Sequence, residues 1–326
     1  MHRSPMQTMS EERSPINKLA HTYSIIAVDP GSGEMGGAVQ SHYFSVGTAV
    51  LWAEPGAGVV ATQALVNLSY GPRGLEMLRS GLSPKDTVAK LTGEDECRNI
   101  RQLAVLSADG NVETWTGKNC IKDAGHVTGE GFSAQANMVI NDRVWPAMAI
   151  AFQASKGPLA ERLLAALDAA EAAGGDIRGR QSAALLIVKT RSTGKIWEDR
   201  TVDLRVDDAP EPLAELRRLL RTKRAYDHAD KGDLEMERGD MAKALFHYSE
   251  AESMMPDNAE MMFWHAVTLA NNGHHDDARH LFTMIFEKDD NWRELARRLV
   301  PAGLLKVTDE QLERIVRVKP RQCSIK

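Results

Sequence analysis

At 326 residues, 43% hydrophobic and 26% charged, the chain has room for two domains and the balance of a folded protein rather than a disordered one. A formal net charge of -5 gives no electrostatic reason to expect nucleic acid or an anionic membrane as partner, and no apolar run reaches the roughly 18 residues that span a bilayer. Cys97, Cys120 and Cys323 contain no CxxC pair and form no disulfide framework, so a reducing, cytoplasmic setting is expected.

The leader, residues 1–21, is polar, lacks an apolar signal-peptide core and reads as disordered. Thr22 to Val28 is β-branched and aromatic, and Asp29-Pro30-Gly31-Ser32-Gly33 turns it into a returning strand from Met35 to Val39. Two apolar stretches follow, Val46 to Trp52 and Val59 to Leu65. Helical spacing appears at Gly74 to Arg79, and Ser83-Pro84 caps a helix that runs to about Leu91. Asp109-Gly110 between Gln102–Leu106 and Val112–Trp115 predicts a hairpin. Phe132 to Ile140 reads as a strand, Asp142–Phe152 and Pro158–Ala173 as helices, and Ala183–Val188 and Thr201–Val206 as strands. Strict βαβ alternation is missing, which favours antiparallel sheets covered by helices. From Pro210 onward everything reads helical, up to a short tail over residues 319–326.

Within that helical part, positions recur at a spacing of 34 residues. Gly232 maps to Ala266, Ala244 to Ala278 and Tyr248 to Phe282, on the small, small and aromatic positions of the tetratricopeptide pattern. Ala251 and Pro256 complete the first copy; Ile285 and Asp290 depart from the pattern in the second. Repeats of this kind are expected across Ala225 to Asn291, with Trp292 to Leu305 as a capping helix. They offer a surface for a protein partner or for self-association.

Two motifs are set aside. Gly31-Ser32-Gly33-Glu34-Met35-Gly36 is a literal GxGxxG, but a strand follows it where a dinucleotide site needs a helix, so a hairpin turn explains it. His274-His275-Asp276-Asp277 and His280 sit where a helix cap and exposed histidines are ordinary, and no metal site is assigned. Polar residues inside apolar segments point to a shared cleft instead: Gln63, His126, Gln135, Asn137, Arg180 and Gln181.

Six strings together carry a family resemblance: Thr22-Tyr23-Ser24-Ile25-Ile26-Ala27, Ala61-Thr62-Gln63-Ala64, Tyr70-Gly71-Pro72-Arg73-Gly74-Leu75, Arg101-Gln102-Leu103, Ala124-Gly125-His126 and Gly179-Arg180-Gln181-Ser182-Ala183-Ala184. The first 210 or so residues resemble the Ntn-hydrolase-like family catalogued as domain of unknown function 1028. The resemblance implies an α+β fold, a four-layer αββα sandwich over residues 22–209, ahead of the helical domain over 210–318. The resemblance supplies no substrate, but the wider superfamily it points to uses the first residue of the mature chain as nucleophile on an amide. The first expectation is therefore an amidohydrolase with Thr22 as the catalytic nucleophile, acting on a small amide or peptide-like bond without metal or organic cofactor. Gln63, His126, Asn137, Arg180 and Gln181 are the candidates for oxyanion or substrate contacts. In this chain 21 residues precede Thr22, so its nitrogen is an amide unless the natural start lies later or the His21–Thr22 bond is cleaved by autoproteolysis. The alternative expectation is a noncatalytic ligand-binding or scaffold protein of the same fold.

Overall fold

A computed structural model describes residues 18–20 and 22–317, and the chain divides into two compact units between Arg217 and Arg218. The rest of the expected leader, the C-terminal tail and Cys323 lie outside the described residues. In chain order the first unit contains β1 (Lys18–Ala20), β2 (Thr22–Asp29), β3 (Glu34–Ser41), α1 (Gly47–Val50), β4 (Leu51–Glu54), β5 (Gly58–Val66), α2 (Tyr70–Arg79) and α3 (Pro84–Gly93). There follow β6 (Arg101–Ser107), β7 (Val112–Thr116), β8 (Gly125–Gly129), β9 (Phe132–Ala136), α4 (Val144–Ala154), α5 (Leu159–Ala172), β10 (Ser182–Lys189), α6 (Ile196–Asp199) and β11 (Arg200–Val206).

Two sheets result. One runs β1-β5-β6-β7, with β4 also on β5; the other runs β11-β10-β3-β2-β9-β8. Every pairing among these strands is antiparallel. The sheets face each other across a layer whose apolar part gathers Ile26, Val28, Met35, Val39, Val59, Ala61, Ala104 and Leu106. Helices α2 and α3 cover the outer face of the first sheet, packing Tyr70, Leu75, Leu78, Val88 and Leu91 onto Val60, Leu103 and Val105. Against the second sheet, α5 packs on β2 and β3 and α4 on β8 and β9. The stripe Leu159, Leu163, Leu164 and Leu167 is fully buried there.

Four expectations change. Lys18–Ala20, expected as disordered leader, forms a strand on the edge of β5. The apolar stretch Val46 to Trp52 divides into the short helix α1 and the start of β4. The strand expected from Phe132 to Ile140 stops at Ala136, and Met138, two residues on, adopts a positive φ of 54°. Gly125–Gly129, where the sequence suggests no strand, pairs with β9 as an edge strand.

Helix α7 (Pro212–Glu237) contains the division. The second unit continues with α8 (Met241–Met254), α9 (Ala259–Asn271), α10 (His275–Lys288), α11 (Asn291–Leu299) and α12 (Asp309–Val316). The 34-residue spacing has a steric cause. A Cβ on Gly232 would stand 2.9 Å from the Tyr248 ring, and the equivalent Ala266, Ala278 and Phe282 are wholly buried. Ile285, one of the departures from the repeat pattern, is buried too, in a core that α9 and α10 share with α11 and α12. His275, set aside as a ligand, contacts Gln311 of α12 through Nε2 at 3.0 Å.

Candidate functional site

One face of β2 changes character along its length. Period-two alternation places Thr22, Ser24, Ile26 and Val28 toward the opposite sheet. Ile26 and Val28 join the apolar layer, whereas the Ser24 hydroxyl meets a carboxamide and Thr22 meets carboxamides only through its backbone carbonyl. Directly opposite residues of an antiparallel pair share a face. Gln63, Gln102 and Thr116 therefore line one row across β5, β6 and β7, and Ser24, Gln135 and His126 line another across β2, β9 and β8.

The two rows are stitched together. Ser24 donates its hydroxyl to Gln63 Oε1 at 2.7 Å, and Gln135 Nε2 donates to Ser24 Oγ at 3.3 Å and to the Ala61 carbonyl at 3.2 Å. Gln102 Oε1 accepts from Gln63 Nε2 at 2.7 Å and from Asn137 Nδ2 at 3.0 Å. Gln102 Nε2 reaches Thr116 Oγ1 and the carbonyls of Gly125 and Ala136 at 2.9–3.1 Å. Thr116 Oγ1 in turn lies 2.8 Å from His126 Nδ1. Thr22, Ser24, Gln63, Gln102, Gln135 and Asn137 are all wholly buried, so this network is the price of placing six polar side chains inside a sandwich.

All of it converges on Thr22. Its carbonyl accepts from the Asn137 backbone N–H at 3.0 Å, from Gln63 Nε2 at 3.2 Å and from Asn137 Nδ2 at 3.3 Å. Its hydroxyl Oγ1, by contrast, is buried with no hydrogen-bond partner. The residues after both carboxamides are left-handed without being glycine: Ala64 at φ 71° and Met138 at φ 54°. Strain of this kind costs of order 1–3 kcal/mol per residue and gathers where a site must be held in place.

Residues 22–216 match the family model described as a family of unknown function, DUF1028. The chain belongs to this family. A crystal structure of a Silicibacter pomeroyi protein from the same family superposes with a TM-score of 0.57 at 37% identity, covering 62% of this chain and 85% of that one. A tetratricopeptide-repeat model matches residues 235–300. No curated protein matches the chain.

Among the candidates in this DUF1028 chain, Gln63 and Asn137 contact Thr22, and His126 joins them through Thr116 and Gln102. Arg180 does not. Its Nε bonds Glu171 Oε2 at 2.6 Å; Glu171 Oε1 receives the Tyr23 hydroxyl at 2.5 Å and Gln40 Nε2 at 2.7 Å. That cluster lies on the face of β2 turned toward α5. Burial, and then the Glu171 charge, push the Tyr23 hydroxyl well above its ordinary pKa. Gln181 donates to Asp208 at 3.3 Å and also lies outside the network. Gln102, at the centre, was missing from the candidate set. A lone carboxamide before the apolar run Leu103–Leu106 was its signal.

Other DUF1028 strings serve packing. Tyr70 donates to Asp95 at 2.8 Å, and the buried Arg101 bonds Asp95 at 3.0 Å and the Leu65 carbonyl at 2.5 Å. Burial acts to raise the Asp95 pKa, but these hydrogen bonds outweigh it and hold the carboxyl below its usual value. The cluster clamps the end of β5 that follows Gln63.

Proposed function

We propose that the first unit is an N-terminal-nucleophile amidohydrolase with the four-layer αββα arrangement, and that Thr22 is its nucleophile once the bond to His21 is broken. The observation that carries this reading is the buried, unpartnered Thr22 hydroxyl at the start of a strand between facing sheets. Thr87 in α3 also buries an unbonded hydroxyl, so what sets Thr22 apart is its place at the start of β2, with its carbonyl held by Gln63 and Asn137. In the reaction, Oγ1 attacks the amide carbonyl carbon and its proton passes to the freed α-amine of Thr22. The amine hands that proton to the departing nitrogen, the amide C–N bond breaks, and water hydrolyses the resulting ester to release the acid. An α-amine with a pKa of about 7.7–8.0 suits this exchange near neutral pH.

The carboxamides take a narrower part than oxyanion donors. Gln63 Nε2 and Asn137 Nδ2 each place their two protons on the Thr22 carbonyl and on Gln102 Oε1. They act as positioning residues that fix the peptide plane of the nucleophile. His126 lies at the exposed end of the same network.

N-terminal sequencing and intact-mass measurement of the purified protein test the reading. A chain starting at Thr22, labelled at Thr22 by an electrophilic amide analogue and unlabelled in Thr22→Ala, is expected. The noncatalytic reading is favoured by one observation: with residues 18–20 paired beside it, Thr22 is wholly buried. Full-length protein that persists, with Thr22 unlabelled, would establish that reading instead.

A further inference from the structure

We propose that the edge of β5 at Ala64–Val66 is the seat for the acyl side of the substrate, and that the substrate is a peptide bound as an extended strand. The proposal rests on Thr22 acting as nucleophile.

Two strands divide one edge of β5. β4 pairs with Gly58 to Ala61, and β1 pairs with Ala64 to Val66 through Ala20↔Ala64, Leu19↔Leu65 and Lys18↔Val66. The other edge is taken by β6. Displacing β1 therefore opens a short stretch of strand edge beside Gln63, whose side chain touches Thr22. Only one residue separates β1, in the first sheet, from Thr22, in the second.

That connection ties the edge to the chemistry. Attack of Oγ1 on the carbonyl of residue 21 and attack on an external amide make the same ester at the same oxygen. In both cases the acyl chain leaves Thr22 between the same walls. In the first case that chain is the segment paired with Ala64–Val66, so β1 marks where an external acyl chain runs. An open strand edge presents alternating N–H and C=O groups, which a chain of amides pairs and a simple carboxylic acid leaves unpaired. The edge is also pre-set, because buried Arg101 holds the Leu65 carbonyl while Asp95 holds Arg101.

The test is hydrogen exchange on the full chain carrying Leu19→Pro and Ala20→Pro, which removes a backbone donor of β1 whichever alternate set of residues faces β5. The probe is the acetylated peptide amide of Asn17–His21. In the double variant, amides of Ala64–Val66 should exchange faster than in the parent. Saturating peptide should slow them at least tenfold, whereas a peptide N-methylated along its backbone should not. In the unsubstituted chain the peptide should change nothing, because the edge is occupied. The form beginning at Thr22 provides a second host in which the peptide should give the same protection. Exchange at Ala64–Val66 that ignores the peptide in both hosts overturns the proposal, even if an electrophile labels Thr22 and the hydrolase reading stands. Protection without labelling of Thr22 ends the hydrolase reading, and with it the substrate assignment.

Discussion

The Thr22 hydroxyl is buried unpaired while the carbonyl of the same residue is held by three donors. An unsatisfied buried hydroxyl costs about 1–3 kcal/mol, and valine fills the same shape without that cost. Thr22→Val is therefore expected to stabilise the full chain by about 1 kcal/mol, read as a higher urea midpoint with unchanged slope, while abolishing any labelling at residue 22. A lower midpoint would mean that the hydroxyl is bonded and has no cause to be reactive. His126 supplies a pH signature. Desolvation lowers its pKa from 6.5, against a weaker opposing pull from Glu113. The native state then binds this proton less readily than the unfolded chain, so stability rises with pH across the window. The contribution of neutral His126 is present above pH 6.5 and is lost as pH falls through the lower native value. Thermal melts of parent and His126→Gln should converge above that pH, with a steeper acid-side decline in the parent; parallel curves would refute this. At this scale Gln63 and Asn137 were legible as polar residues in apolar strands. Arg180 was not, because which face of the sheet a residue before a strand serves depends on where α5 lies.

Among the elements, α2 shows how packing overrides propensity. In an isolated helix, Gly71→Ala would stabilise by about 1 kcal/mol. Here the added Cβ would stand 2.3 Å from the Trp52 ring, inside any allowed contact. Overpacking of this kind costs about 1–3 kcal/mol, so Gly71→Ala is expected to lower stability in urea titration, and a gain would show that Trp52 can move aside. The main hairpins were readable because alternation and turn residues agree. β1 was not, since three residues carry no periodicity, and Lys18–Ala20 become a strand only because β5 offers an edge. β8 was missed for a similar reason: Gly-His-Val-Thr-Gly has low strand propensity, and β9 supplies its order.

Over the whole chain, an antiparallel two-sheet unit of the DUF1028 family is followed by a tetratricopeptide-type helical unit. The core of the helical unit contains an aromatic cluster around the repeat position Phe282. Phe282 is wholly buried, 5.7 Å from the Phe263 ring and 5.5 Å from Phe286. Phe282→Ala should cost about 3–5 kcal/mol. That is large against the stability of an ordinary domain, so loss of helical circular dichroism well below the parent melting temperature is expected. An unshifted transition would mean that the repeat core tolerates the cavity.

By itself the sequence determined the antiparallel strands, the helical repeats and the residue at which the first full-length strand begins. Each of these is written in local periodicity, turn chemistry or a fixed repeat length. Only the tertiary structure decided that Gln102 bridges the two sheets, that Arg180 belongs to the far face, and that residues 18–20 close an edge beside Thr22. Those outcomes depend on which sheet faces which. That is set by burial summed over the whole unit, and no short stretch of sequence encodes it.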